Sequence, residues 1–167
     1  MQVFFCVRIL YMKTFTTTSN SLEDTQKIAQ AIAQSLQKGL LICLYGDIGT
    51  GKTTLTKTIG GALGVKENIT SPSFVIMTEY HSGRLDLYHF DLYRLETEGL
   101  HTIQDELREY STDENALMIV EWAEFGANEL DLERLEIKID YIEDTVRGFT
   151  FNSFGVDDVL AKIGAAL

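Results

Sequence analysis

The chain of 167 residues is long enough for one domain with a hydrophobic core, and 45% hydrophobic residues exclude a disordered polypeptide. Its 14 basic and 25 acidic residues give a net charge of −11, which disfavours direct binding to a nucleic-acid backbone. Two cysteines, Cys6 and Cys43, are too few for a disulfide framework, so we expect a cytoplasmic protein in a reducing compartment.

The first eleven residues are apolar, but they lack the basic start and the small-residue cleavage site of a signal peptide. They are also too short to span a membrane, and we expect no membrane association. Met12 is a more typical start for a protein chain. We therefore interpret residues 1–11 as a candidate start-site extension of a single domain that covers residues 1–167.

The first predicted elements are a strand and a helix. Lys13–Thr18 alternates weakly, which indicates a short strand or an extended arm. Ser21 can cap a helix because acidic residues follow it in the first turn. Apolar residues then recur at helical spacing as far as Leu36, and Lys38 and Gly39 are the cation and the glycine expected at a helix end.

The strongest motif is Gly-Asp-Ile-Gly-Thr-Gly-Lys-Thr at residues 46–53, which matches the P-loop pattern G-x-x-x-x-G-K-[ST] at every fixed position. It follows the apolar run Leu40–Tyr45, which predicts a buried strand. A predicted helix from Thr54 to about Leu63 comes next. This strand-to-helix context is where a phosphate-binding loop is found.

The residue types of this motif suit the phosphates of a nucleotide. Glycines allow positive φ and a close approach of backbone N–H groups to an anion, and the helix N-terminus adds positive partial charge. We expect Lys52 to bridge the β- and γ-phosphates, Thr53 to ligate Mg²⁺ and Thr54 to contact the α-phosphate. The nucleotide-binding residues predicted in the loop are Gly46, Asp47, Ile48, Gly49, Thr50, Gly51, Lys52, Thr53 and Thr54.

A loop at residues 69–74 contains Pro72, the only proline of the chain. Proline restricts its own φ and favours an extended conformation of Ser71. The segment is either an ordinary connection or a switch loop in which hydroxyls such as those of Ser71 and Ser73 approach the γ-phosphate or its metal.

Two strand-like runs, Phe74–Tyr80 and Arg84–Asp91, flank residues 81–83 and predict a hairpin. Asp91 ends the second run. A carboxylate at a strand end near a P-loop is a candidate partner for a metal ion or a water.

A second candidate carboxylate follows an acidic, mostly helical stretch, Glu96–Tyr110, whose charges we interpret as a solvated face. Ala116–Glu121 is an apolar run that ends in an acid, the form of a Walker B strand. Many buried strands end in this way, but the P-loop favours the interpretation that Glu121 faces Mg²⁺ and its waters. Trp122, the only tryptophan, is either a core residue or a residue at the rim of the nucleotide site.

The chain closes with two predicted strands, Arg134–Ile142 and Thr145–Phe154, and a helix, Val156–Ala166. No metal-ligand spacing relates the three histidines, which we interpret as ordinary residues. These are His81, His89 and His101.

Four motifs together resemble the TsaE (YjeE) family of ATPases of bacterial tRNA threonylcarbamoyladenosine biosynthesis. Their order and spacing fit that family over most of the chain, and the last three are more specific than a P-loop. The motifs are Gly46–Thr54, Thr70–Phe74, His89–Arg94 and Ile119–Glu124.

The resemblance implies a small α/β protein with a P-loop NTPase-like three-layer fold, a mostly parallel central sheet and antiparallel additions. It implies an ATPase that uses ATP and Mg²⁺, works with the proteins TsaD and TsaB, and meets tRNA only through them. Lys52, Asp91 and Glu121 take the catalytic roles, and Thr53 and Glu121 serve the metal. Ser73 departs from the family pattern, which usually has threonine there, although a hydroxyl is retained.

Three other classes of protein also contain a P-loop. A GTPase is disfavoured because no Asn-Lys-x-Asp motif is present. A small-molecule kinase needs arginines at the transferred phosphoryl group, and Arg84, Arg94 and Arg108 are candidates. A nucleotide-gated binding module would act by ordering its switch loop, with negligible turnover.

Overall fold

The structure, a computed structural model, describes residues 12–98, 103–126, 130 and 133–167. The candidate start-site extension, Cys6, His101 and residues 99–102 of the acidic helical stretch lie outside these ranges. The elements in chain order are β1 (Lys13–Ser19), α1 (Leu22–Ser35), β2 (Leu40–Tyr45), α2 (Lys52–Ala62), β3 (Met77–Tyr80), β4 (Asp86–Asp91), α3 (Leu95–Glu98), α4 (Gln104–Ser111), β5 (Ala116–Glu121), a 3₁₀ turn (Ala123–Phe125), β6 (Arg134–Tyr141), β7 (Arg147–Phe154) and α5 (Asp157–Ala166).

Seven strands form one sheet in the order β1-β7-β6-β2-β5-β4-β3. The four central strands β6, β2, β5 and β4 run parallel to one another. Antiparallel pairs add β3 at one edge and β7 and β1 at the other. The predicted α/β class, with a mostly parallel centre and antiparallel additions, is confirmed.

Helices cover both faces of this sheet, which makes three layers. Leu117 and Ile119 of β5 belong to the core beneath α1, α2 and α5. Met118 and Val120 alternate with them and pack on the opposite side with residues of α3 and α4. A parallel strand covered on both faces needs this continuous apolar run. No described helix combines the length and the apolar character needed to cross a membrane.

The parallel direction of β2, β4 and β5 brings their carboxyl ends to one edge of the sheet. The P-loop follows β2, and Asp91 and Glu121 are the last residues of β4 and β5. These two carboxylates are direct register partners. The carboxyl edge of an open parallel sheet is the usual place for a ligand crevice.

The predicted start of α1 is confirmed, but its predicted end is wrong. Ser21 caps the helix by accepting a hydrogen bond from Asp24 N at 3.2 Å. The helix ends at Ser35, because Leu36 turns into extended backbone and packs in the core. Gly39 is needed for space instead: a Cβ there would lie 2.3 Å from the carbonyl oxygen of Ala116.

The predicted strand Phe74–Tyr80 begins only at Met77. Pro72 O accepts hydrogen bonds from the backbone N–H groups of Val75 and Ile76, which closes a turn before the strand. Ile76 has a φ of 68°, a strained value for a β-branched residue. The proline loop therefore extends further along the chain than the apolar run suggests.

Candidate functional site

The P-loop turns from β2 into α2 through three glycines with positive φ. The values are 136° at Gly46, 79° at Gly49 and 110° at Gly51, which is the N-cap of α2. A Cβ on Gly46 would lie 2.3 Å from the carbonyl oxygen of Ile139 on β6. Because Gly51 completes the turn, α2 begins at Lys52, earlier than predicted.

Lys52 is 5% exposed and folds back over its own loop. Its Nζ donates hydrogen bonds to Gly46 O at 2.6 Å and Asp47 O at 2.9 Å, and it lies 3.7 Å from the centroid of the Trp122 ring. Burial lowers the pKa of the ammonium group, although the nearby Glu121 carboxylate acts in the opposite direction. The cation at the centre of the loop is thus ordered by backbone carbonyls and an aromatic ring.

Glu121 is 2% exposed and joins β5 to α2 through hydrogen bonds. Its Oε2 accepts from Thr53 Oγ1 at 2.8 Å. Its Oε1 accepts from Thr56 Oγ1 at 3.3 Å and is 2.7 Å from Nε2 of His89. The carboxylate therefore meets the hydroxyl that the motif assigns to the metal.

Asp91 is 3% exposed and connects β4 to the proline loop. Its Oδ2 accepts hydrogen bonds from the hydroxyls of Ser71 and Ser73, each at 2.6 Å. Its Oδ1 accepts from the backbone N–H of Tyr93 at 3.1 Å. The two serine oxygens are themselves 2.6 Å apart, so the loop hydroxyls and the carboxylate form one cluster.

These groups line one cavity of about 390 Å³ at the carboxyl edge of the sheet. It brings together most of the residues predicted from sequence, with Tyr93 in addition. The lining residues are Ile48, Gly49, Gly51, Lys52, Thr53, Thr54, Ser71, Ser73, Asp91, Tyr93, Glu121 and Trp122.

Four predicted residues do not line this cavity. Gly46 and Asp47 line a neighbouring depression. Thr50 is buried, and its hydroxyl donates to Asp47 O at 2.9 Å. Pro72 is buried as well and acts through its carbonyl in the turn before β3. These residues shape the loops around the cavity.

Trp122 lines the cavity and also packs against the core on the side of α3 and α4. It adopts the left-handed conformation, with a φ of 58°, directly after β5. Its ring is 5.0 Å from that of Tyr93 and stacks with that of Phe125 at 6.0 Å between centroids. The rings of Trp122 and Tyr93 line the cavity together.

Sequence reasoning missed three side chains near the site: His89, Tyr93 and Thr56. His89 and Tyr93 lie in the His89–Arg94 motif, and alternation along β4 puts His89 on the same face as Asp91. The two-residue alternation along β4 is the sequence signal that could have placed His89 beside the site. Thr56 lies one turn along α2 from Thr53.

One of the three arginines that are candidates for a kinase, Arg84, is bound away from the cavity. Arg84 donates hydrogen bonds to Ala33 O at 2.8 Å and Leu36 O at 3.2 Å, at the end of α1. Arg147 donates a hydrogen bond from Nε to Thr50 O at 3.2 Å and so connects β7 to the P-loop.

The fold and the loop geometry define an α/β protein of the P-loop NTPase type. The family model described as "Threonylcarbamoyl adenosine biosynthesis protein TsaE" matches residues 19–149. The chain therefore belongs to the TsaE family, as its motifs predict.

Individual relatives agree with this assignment. The tRNA threonylcarbamoyladenosine biosynthesis protein TsaE of Bacillus subtilis is 36% identical over 148 residues, covering 86% of this chain and 89% of the relative. The TsaE protein of Treponema pallidum is 35% identical and covers 79% and 96%. The crystal structure of Bacillus subtilis YdiB superposes with a TM-score of 0.76 at 31% identity, covering 93% of this chain and 97% of YdiB.

Proposed function

We propose that this protein is a Mg²⁺-dependent ATPase that acts in tRNA threonylcarbamoyladenosine biosynthesis together with TsaD and TsaB. Membership of the TsaE family supports the biosynthetic role. The observation that carries the ATPase proposal is the convergence of Lys52, Thr53, Asp91 and Glu121 on one cavity. Two carboxylates, a cation and a hydroxyl beside a P-loop are the groups that phosphoryl transfer to water requires.

Phosphate binding falls to the P-loop and Lys52. Gly49 and Gly51 have positive φ, and a Cβ at either position would meet no atom within 4 Å. The surface of the loop is therefore open at these two residues. To reach a phosphate, Nζ of Lys52 leaves the carbonyls of Gly46 and Asp47, which hold it in this structure. Nucleotide binding then exchanges two neutral acceptors for a charged one, which makes stronger hydrogen bonds.

The residues present also fit Mg²⁺. Thr53 and Glu121 offer a hydroxyl and a carboxylate oxygen 2.8 Å apart beside the cavity. Mg²⁺ prefers hard oxygen donors, takes few of them from protein, and fills its shell with phosphate oxygens and water. When bound, the ion neutralises charge on the phosphates. Thr53, through its hydroxyl, and Glu121, through its carboxylate, are the residues that would hold the ion.

Hydrolysis falls to Asp91. Its Oδ2 accepts from both serine hydroxyls, so these turn away before that oxygen can accept a hydrogen bond from the attacking water. The released hydroxyls of Ser71 and Ser73 are then free to approach the γ-phosphate. The switch loop and the carboxylate would therefore change state together, which is a direct route for partner control.

A nucleotide-gated binding module is the second candidate, because both carboxylates are engaged by protein donors. Asp91 accepts from the switch loop, and Glu121 accepts from α2. Such a protein would bind its partners in an ATP-dependent way without needing turnover. ATP-dependent partner binding that persists when Glu121→Ala abolishes hydrolysis would favour this candidate.

The primary experiment measures phosphate release from Mg·ATP by the purified protein, alone and with TsaD and TsaB added. We expect slow release alone and faster release with the pair. A rate that the pair does not change would contradict the partner-coupled ATPase. Phosphate appearing on an added small-molecule acceptor instead would favour the kinase.

A further inference from the structure

His89 is a buried histidine whose hydrogen bonding is committed to Glu121. The residue is 0% exposed, and its Nε2 lies 2.7 Å from Oε1 of Glu121. Among the described residues, Nδ1 of His89 has no hydrogen-bond partner. A carboxylate only accepts, so Nε2 carries the hydrogen and donates it. Burial of an imidazole is costly unless its polar atoms are bonded, and the contact with Glu121 provides that compensation at Nε2 alone.

The sheet explains why this contact reaches the site. On β4, His89 is the register partner of Ile119, and Asp91 is the register partner of Glu121. Side chains two residues apart on a strand share a face. The strand that provides Asp91 thus also provides a donor to Glu121, and the two carboxylates are coupled through one rigid element.

The two oxygens of Glu121 consequently have different partners. Oε1 is bound within the protein by His89 and, at a longer 3.3 Å, by Thr56. Oε2 accepts from Thr53, whose side chain lines the cavity. Donors on Oε1 restrict rotation of the carboxylate, and the oxygen beside the cavity is oriented before any ligand arrives.

We propose that His89 is a positioning residue that sets the Mg²⁺ affinity of the site by orienting the carboxylate of Glu121. This inference rests on the proposed function, because it concerns the metal that accompanies the nucleotide. Residues that orient metal ligands typically change metal affinity by about 10- to 100-fold when they are replaced.

The test titrates ADP into the protein by calorimetry at a series of MgCl₂ concentrations. His89→Asn removes the donor at the Nε2 position, whereas the longer amide of His89→Gln can place an N–H near it. We expect His89→Asn to raise the half-effective Mg²⁺ concentration about tenfold or more, and His89→Gln to stay within about threefold of the wild type. ADP affinity without Mg²⁺ should be the same in all three.

Thr56→Val is the matched control, because it removes the longer donor to the same oxygen and should have the smaller effect. A folded His89→Asn protein with wild-type Mg²⁺ dependence would overturn the inference. Equal weakening with and without Mg²⁺ would overturn it too, as a merely structural effect. A wild-type protein that binds ADP with no Mg²⁺ dependence would instead refute the proposed function.

A second measurement needs no variant and guards against misfolding of His89→Asn. Imidazole ¹⁵N signals of His89 are followed by NMR in the ADP-bound wild-type protein while MgCl₂ is added. We expect them to shift, because a cation beside Glu121 changes the charge on the oxygen that His89 contacts. Signals that do not move would count against the inference.

Discussion

Under the proposed function, Lys52 is the side chain on which nucleotide binding most depends. It is the only lysine of α2 that turns into the cavity, since Lys57 of the same helix is exposed. Its Nζ contacts two loop carbonyls and the ring of Trp122. Its removal should therefore affect phosphate binding more than folding.

We expect Lys52→Ala to lower kcat/KM for ATP by about 100-fold or more, because a charge that stabilises the transferred phosphoryl group is lost. Phosphate release and thermal unfolding are the measurements. Lys57→Ala is the control and should leave both unchanged. Unchanged hydrolysis by a folded Lys52→Ala protein would refute the P-loop assignment.

His81, at the turn between β3 and β4, provides a prediction about pH. The hydrogen bond that Nδ1 of His81 donates to Oδ2 of Asp86, at 3.1 Å, raises the pKa of His81 above its usual 6.5, and Glu79 adds to the effect. The charged pair stabilises the fold below pH 6.5, and this contribution disappears as pH rises through the raised pKa.

In an NMR titration, the midpoint of His81 should lie above 6.5 in the wild type and fall in Asp86→Asn. The stability difference between the two proteins should be largest at acid pH. Because the pair is exposed, we expect that difference to be small. A midpoint that Asp86→Asn does not change would contradict this explanation.

At the scale of elements, α2 carries two adjacent glycines with opposite surroundings. A Cβ on Gly60 would lie 2.2 Å from Cδ1 of Ile69 and 3.1 Å from Cδ2 of Leu87, both of which are buried. A Cβ on Gly61 would meet nothing within 4 Å. Gly60 is needed for the close approach of α2 to the sheet, whereas Gly61 plays no part in that contact.

Gly60→Ala should destabilise the protein by about 1–3 kcal/mol, because a tight core must shift. Gly61→Ala should be neutral or stabilise by up to about 1 kcal/mol, because alanine is the better helix former. Urea denaturation monitored by circular dichroism measures both. Equal effects of the two substitutions would show that space beneath α2 does not decide them.

The proline loop is the second element with a distinct expectation. Ser73 is one of two serines that hold Asp91, and its hydroxyl lies beside the cavity. We expect Ser73→Ala to slow single-turnover ATP hydrolysis by about 100-fold, the lower end of the effect of one lost donor to developing charge. Ser73→Thr keeps the hydroxyl and should retain the rate, which makes it the matched control.

Charge is a property of the whole molecule, and it bears on the encounter with RNA. A net charge of −11 opposes the approach of a polyanion. In filter-binding assays at low salt, the protein alone should not retain tRNA. Retention should require TsaD and TsaB, and tight binding by the protein alone would contradict the proposal that tRNA is met only through them.

Some predictions were correct because they depended on neighbours along the chain. Alternation and apolar runs located β2 and β5 with their full bounds, and Ser21 was recognised as a helix cap. Others failed because packing overrode local preference. Gly39 follows a helix-like pattern but is needed for space beside Ala116, and the strand predicted from Phe74 is shortened by a turn.

The sequence by itself determined the P-loop, the central strands and the family, because spacing within a motif is preserved in the linear chain. Only the tertiary structure decided that Glu121 bonds Thr53 and His89, and that Asp91 holds two serines of the proline loop. These contacts join residues far apart along the chain. They depend on strand order and register, which follow from how the apolar faces of all the elements pack together.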